Sequence, residues 1–249
     1  MSMTAQPMVI LGGFMSFASL HGGMRDELAS LTGQPVAIVQ TFGHDWLPSV
    51  TPVGWARLLR KLDRTVCLAA SHSATGQVTL IGHSMGGVLA RLYLSPRPFM
   101  GQVYHGLDQV DRLITLGSPH HNQAGLTRGG IMSRWVERHY PGAFFAPRVE
   151  YVSVAGKAIR GDLSGTVRER WVYWNHKKMC GRGDTWGDGI VPVESALLRG
   201  SHPIILEGVS HFGRPDGPWY GDGDVIPAWL EPALAGQFGQ AQIGTGERR

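Results

Sequence analysis

The chain has 249 residues, 43% of them hydrophobic and 17% charged, with 35 glycines. That is enough apolar material for one buried core and too regular a mixture for a disordered or fibrous chain, so a single domain over 1–249 is expected. The net charge is +4, but the cations are scattered. Arg57, Arg60, Lys61 and Arg64 follow one expected helix and Lys177 and Lys178 lie in an expected loop, so a nucleic-acid partner is excluded. Two cysteines, Cys67 and Cys180, are too few for a disulfide framework, and their pairing stays open.

The pattern along the chain alternates short apolar runs with helical stretches. Strands are expected over 8–11, 36–39, 78–81, 112–116, 151–154 and 203–206. Helices are expected over 23–31, 51–71 (opened by Thr51-Pro52), 85–94, 193–198 and 225–238. Continuous rather than alternating apolar strands, each followed by a helix, predict an α/β fold. It has a mostly parallel sheet of about six strands with helices on both faces. The insertion 120–149 is expected to form either a lid or cap or an ordinary surface helix that packs its apolar face on the core. In it Ile131, Met132, Trp135, Val136 and His139 share a helical stripe opposite Ser133, Arg134, Glu137 and Arg138. Residues 157–187 read as a long loop rich in Trp, Tyr and Gly, in which Trp171, Tyr173, Trp174 and Trp186 are candidates either to line a pocket or to pack in the core. The tail 240–249 is expected to be flexible. The first seven residues do not read as a secretory signal and every apolar run is too short to span a bilayer. A cytoplasmic location, or one peripheral to a membrane, is therefore expected.

The most informative stretch is Val78-Thr79-Leu80-Ile81-Gly82-His83-Ser84-Met85-Gly86-Gly87. Gly-x-Ser-x-Gly between a strand and a helix puts the serine on a sharp turn at the sheet edge. Gly82 and Gly86 leave room for the neighbouring backbone. Ser84 is the candidate nucleophile, and the helix behind it favours negative charge developing nearby.

Gly82-His83-Ser84-Met85-Gly86-Gly87 resembles the elbow of lipase-type α/β-hydrolases. Leu116-Gly117-Ser118-Pro119-His120 is similar to the Gly-Thr-Pro-His segment after the next strand of bacterial lipases. Gly187-Asp188-Gly189-Ile190-Val191-Pro192 resembles their acid-bearing Asp-Gly-x-Val-Pro loop. The resemblance runs from Val9 to about Phe212 and implies the α/β-hydrolase fold, with the order serine, acid, histidine.

On that order His211, just after the last strand, is the candidate base. Asp188 is the candidate acid, with Asp184 and Asp162 as alternatives. His202 precedes the last strand and belongs to the opposite sheet edge. The oxyanion donors are expected to be the amides of Met85 and, by resemblance, Phe14 in Gly12-Gly13-Phe14-Met15. Met15 is an alternative to Phe14. His21-Gly22-Gly23 lies too far past the first strand to serve. Met15, His83 and His120 are expected to contact substrate. The implied activity is cleavage of an acyl ester, lipid or otherwise apolar, with no metal or other cofactor and with transient contact to a membrane surface. Acyl transfer, thioester cleavage and non-catalytic binding remain as alternatives.

Overall fold

The computed structural model describes residues 6–14, 18–49, 51–123, 128–213 and 217–235. Strand β1 (Met8–Leu11) leads through a 3-10 turn (Ala18–His21) into helix α1 (Gly22–Thr32) and strand β2 (Val36–Ile38). A short helix α2 (Gly43–Trp46) precedes the long helix α3 (Pro52–Ser71). There the Thr51 side chain accepts the Gly54 N–H at 3.2 Å and Pro52 occupies the first turn, which satisfies an otherwise orphaned donor. Next come strand β3 (Val78–His83), helix α4 (Met85–Tyr93), a short helix α5 (Gly106–Gln109) and strand β4 (Val110–Leu116). Helix α6 (Arg128–His139), strand β5 (Glu150–Lys157) and strand β6 (Ile159–Arg160) follow. The chain continues with helix α7 (Val167–Cys180), strand β7 (Trp186–Gly187), a short helix α8 (Val193–Ala196), strand β8 (His202–Glu207) and helix α9 (Ile226–Ala235).

The main sheet runs β2-β1-β3-β4-β5-β8, every neighbour parallel. Its four central strands β1, β3, β4 and β5 are buried on both faces, while the edge strands β2 and β8 are only partly buried, and successive residues serve opposite layers. Val9 and Leu11 pack with Leu59 and Leu62 of α3 and Val88 of α4, whereas Met8 and Ile10 pack with Met24 and Leu28 of α1 and Trp229 of α9. The connection from β1 goes one way to β2 and the return from β2 lands on the other side at β3. This reversal opens a crevice beyond the carboxyl ends of β1 and β3, the usual place for a ligand in such sheets. Among the described residues no helix is long and apolar enough to cross a membrane.

One segment differs from its sequence reading, and a second takes one of the two forms left open. Residues 157–187 are not a loop. They form α7 together with β6 and β7, which pair antiparallel as a second, two-stranded sheet. A capping box starts α7: the Thr166 side chain accepts the Glu169 N–H and the Glu169 carboxylate accepts the Thr166 N–H at 2.6 Å. Gly181, with φ of 84°, ends it and returns its N–H to the Lys177 carbonyl at 3.0 Å. In the insertion, α6 does carry an apolar stripe, but the core occupies it. Met132 and Val136 are fully buried with α3 and α4. Ser133, expected to face solvent, is buried as well, and Glu137 accepts a 2.7 Å hydrogen bond from Arg91 of α4. Arg91 also donates to the Tyr140 carbonyl at 2.6 Å, so a part-buried ion pair ties α6 to the elbow helix. The last helix begins as expected, and 236–238 and the tail 240–249 lie outside the described residues.

Candidate active site

Strand β3 ends at His83 and α4 begins at Met85, so Ser84 alone makes the turn. Its φ of 56° and ψ of −131° place a non-glycine residue in sparsely populated backbone space. The turn is held from both sides. The Ser84 N–H donates to the Leu116 carbonyl at 2.9 Å, and Gly86 lies against the end of β1, where a Cβ would stand 2.7 Å from the Gly12 carbonyl oxygen.

Ser84 Oγ lies 3.0 Å from His211 Nε2, and His211 Nδ1 lies 2.7 Å from Asp188 Oδ2. His211 and Asp188 are buried. The three groups come from the turn after β3, the loop before α8 and the loop after β8. Main-chain contacts join the last two, since the His211 N–H donates to the Asp188 carbonyl at 2.9 Å. Asp188 Oδ1 accepts the N–H groups of Ile190 and Val191 at 2.9 and 2.7 Å. Asp184 and Asp162, the alternative acids, are exposed and turned elsewhere, the first 3.9 Å from Arg160 and the second accepting from Ser164. His202 starts β8, at the opposite edge from Ser84, as its place in the sequence indicates.

Tyr220 was not singled out by the sequence. Its Oη donates to Asp188 Oδ2 at 2.9 Å and accepts the Gly156 N–H at 2.7 Å. Burial first, and then the Asp188 charge, push the phenol well above its ordinary pKa, so the O–H remains a donor. Asp188 therefore receives four hydrogen bonds, two on each oxygen. No periodic pattern flags a tyrosine in a Gly- and Pro-rich loop, and only the density of aromatics in Trp219-Tyr220 hinted at burial.

His83 and His120 do not line the cavity above Ser84. His83 is fully buried behind His211, where its Nε2–H donates to the His211 carbonyl at 3.1 Å. Its Nδ1 must then accept, and the donor is His21 Nε2 at 3.2 Å. Burial, reinforced by the neighbouring His211 and His21, holds the His83 pKa well below the usual value and keeps it neutral. His21, set aside as an oxyanion residue, is thus part of the packing behind the candidate base. His120 is buried beside Arg91, which donates to its Nδ1 at 3.3 Å, while its Nε2–H donates to Thr115 at 3.1 Å. Burial, with Arg91 next, lowers its pKa too. Both histidines are structural because they face into the molecule at the sheet edge rather than out of it.

A cavity of about 760 Å³ opens over Ser84 and His211. Phe14, Met85, Met179, Ile190, Val191 and Phe212 supply its apolar wall, and Asn122, Asn175 and Lys178 its polar part. Phe14 follows Gly13, whose backbone approaches the elbow so closely that a Cβ there would lie 2.9 Å from both Met85 N and Ser84 Oγ. Met15 lies outside the described residues. Trp171, Tyr173, Trp174 and Trp186 do not line the cavity. Helix α7 contributes Asn175, Lys178 and Met179 instead. Cys67 and Cys180 are both free thiols. Among the described residues no cluster of His, Cys, Asp and Glu is arranged to hold a metal ion.

The PGAP1-like alpha/beta domain family model matches residues 57–135, which include the elbow and the first part of α6. No curated protein sequence matches the chain. Among solved structures, Aspergillus fumigatus lipase B aligns over 93% of this chain and 52% of its own, with 13% identity and a TM-score of 0.51. A Xanthomonas campestris pv. campestris protein assigned to the α/β superfamily of hydrolases aligns over 93% and 98%, with 14% identity and a TM-score of 0.48. A pyrethroid hydrolase from Sphingobium faniae JZ-2 aligns over 49% and 43%, with 16% identity and a TM-score of 0.34. The chain thus spans about half of the lipase and less than half of the pyrethroid hydrolase. Strand order, the serine on its turn after β3 and the superposition on the lipase B structure together show that this chain has an α/β-hydrolase fold.

Proposed function

We propose that this chain is a serine carboxylic-ester hydrolase acting on apolar acyl esters through a covalent acyl-enzyme. The observation that carries this reading is the unbroken line from Ser84 Oγ to His211 to Asp188 at 3.0 and 2.7 Å, on the floor of a largely apolar cavity. Serine is too weak a nucleophile at neutral pH without such a base, and the base needs a fixed tautomer.

In the first half-reaction Ser84 Oγ bonds to the ester carbonyl carbon as its proton passes to His211 Nε2. The carbonyl oxygen becomes an oxyanion held by the N–H of Met85 and, on the same side of the serine, that of Phe14. Collapse breaks the ester C–O bond, and the leaving alkoxide takes the proton from His211. Water then attacks the acyl-enzyme, His211 accepts its proton, and Ser84 departs with that proton restored. Asp188 keeps Nδ1–H toward itself and stabilises the imidazolium formed at each attack. The wall of Phe14, Met85, Met179 and Ile190 suits an acyl chain.

A fluorophosphonate probe is expected to label Ser84, located by peptide mass spectrometry. A p-nitrophenyl ester panel from acetyl to dodecanoyl should show turnover that favours the longer chains. No label on Ser84 together with no hydrolysis across the panel would sink the proposal in favour of a binding protein. A thioester panel and an alcohol acceptor, run alongside, separate ester hydrolysis from thioester cleavage and acyl transfer.

The oxyanion assignment has its own test. Gly13→Ala puts a methyl group against Ser84 Cβ and Met85 N, so donor and nucleophile must separate. Loss of one aligned donor costs about 10²–10³ in kcat, and that is the fall expected, with KM nearly unchanged. Wild-type turnover in Gly13→Ala would remove this loop from the site.

A further inference from the structure

Helix α7 is apolar on two faces. Val172 and Met179 point inward and are buried, as a helix packed on a domain requires. Val167, Trp171 and Trp174 point outward and are 76%, 53% and 51% exposed. These three follow one another at i, i+4 and i+7, a single stripe along the helix, and Lys178 continues it by another turn. Among the described residues nothing covers that stripe, and two exposed tryptophans on one helix face serve no core.

The charge around it is one-sided. Residues 157–187 hold seven Lys and Arg against three Asp and Glu, a net +4. Taking them from the chain's 23 basic and 19 acidic residues leaves 16 of each, so this segment carries the whole net charge of the protein. Lys157 and Arg160 face Glu207 and Asp184. Arg168, Arg170, Lys177, Lys178 and Arg182 are exposed and form no ion pair among the described residues. Lys177 Nζ lies 5.2 Å over the Trp174 ring and Lys157 Nζ 5.5 Å over Trp186, which is also exposed. Indole rings interleaved with long cationic side chains match the chemistry of a lipid headgroup layer. There the rings settle at the boundary and the cations meet anionic phosphates and carboxylates. The same helix reaches the cavity through Asn175, Lys178 and Met179.

We infer that the outer face of α7, built on Val167, Trp171 and Trp174 and flanked by Arg168, Arg170 and Lys177, docks on an anionic lipid surface beside the mouth of the cavity. The inference does not rest on the Ser84 chemistry, and its test reads binding rather than turnover. In co-sedimentation at low salt, wild type and Ser84→Ala are both expected to bind vesicles of equimolar phosphatidylcholine and phosphatidylserine. Binding to phosphatidylcholine alone should be at least about tenfold weaker, and raised salt should reverse binding. Trp171→Ala with Trp174→Ala is expected to lower partition by about tenfold or more, and Lys177→Glu to reduce the dependence on phosphatidylserine. All of these side chains lie outside the cavity wall, so hydrolysis of a soluble short-chain ester by the variants should match wild type. Failure of the wild type to bind either vesicle would overturn the inference, as would wild-type partition by the double tryptophan variant. A lipid-independent dimer that the double variant dissociates would overturn it too, by assigning the stripe to a second copy of the chain.

Discussion

Ser84→Ala is expected to lower kcat/KM for a p-nitrophenyl ester by about 10⁵–10⁶, the loss seen when the nucleophile of a cooperating triad is removed. The size follows from what remains. The Met85 amide and the cavity still bind and polarise the carbonyl, but His211 can activate only a water that the site does not aim. Retention of even a tenth of wild-type activity would require another nucleophile, and the mechanism would fail. Misfolding is separated from chemistry by Ser84→Gly. The serine backbone sits at φ 56° and ψ −131°, a conformation costing about 1–3 kcal/mol for a side-chain-bearing residue. Glycine adopts it freely, at a cost of about 0.5–1 kcal/mol in unfolded-chain entropy. Ser84→Gly should therefore be as inactive as Ser84→Ala yet unfold about 2–4 °C higher than wild type, given a net gain of about 1 kcal/mol. A lower melting temperature would mean that the elbow is not strained.

The parts of this site that the sequence announces are those in which local geometry and chemistry demand the same residues. A serine on a one-residue turn needs glycine neighbours, so Gly82, Gly86 and Ser84 stand out together. His211 stands out because it follows a recognisable strand, and Asp188 because its Asp-Gly-x-Val-Pro segment precedes that strand in the expected order. The same logic fails where function depends on depth. His83 and His120 sit inside the two motifs that look most functional, yet both point into the molecule, and burial is not encoded in a motif. Tyr220 is invisible for the complementary reason: it reaches Asp188 from a loop that carries no motif. Helix α7 escaped because a helix read from hydrophobic periodicity must be apolar on one face only. Val172 and Met179 inside, with Val167, Trp171 and Trp174 outside, erase the contrast. The capping pair Thr166 and Glu169 was the surviving signal, and it marks the start of α7 where periodicity does not. For α6 the stripe was legible but its destination was not, since a lid and a core helix present the same pattern until Arg91 and Glu137 are seen to join.

The second large effect concerns the acid. Asp188→Asn is expected to lower kcat/KM by about 10⁴ with little change in stability, and hydrogen-bond bookkeeping gives the reason. The Oδ1 position is occupied by two backbone donors, Ile190 and Val191, so the amide oxygen of asparagine must stay there. The amide NH₂ is then forced to the Oδ2 position, where it meets His211 Nδ1 and the Tyr220 hydroxyl. Flipping the amide would set its NH₂ against two N–H groups, which is worse. Facing a donor, His211 must turn Nδ1 into an acceptor and move its hydrogen to Nε2, where it can no longer take the Ser84 proton. Tyr220→Phe provides the internal comparison. It removes one of four bonds to the carboxylate but leaves the tautomer intact, so its activity should fall far less, by about tenfold. Asp184→Asn and Asp162→Asn, both exposed and bonded elsewhere, should behave as wild type. The measurements are kcat/KM on one ester and the rate of fluorophosphonate labelling, which should fall in parallel. If Asp188→Asn stays within tenfold of wild type while either control collapses, the acid has been placed on the wrong loop.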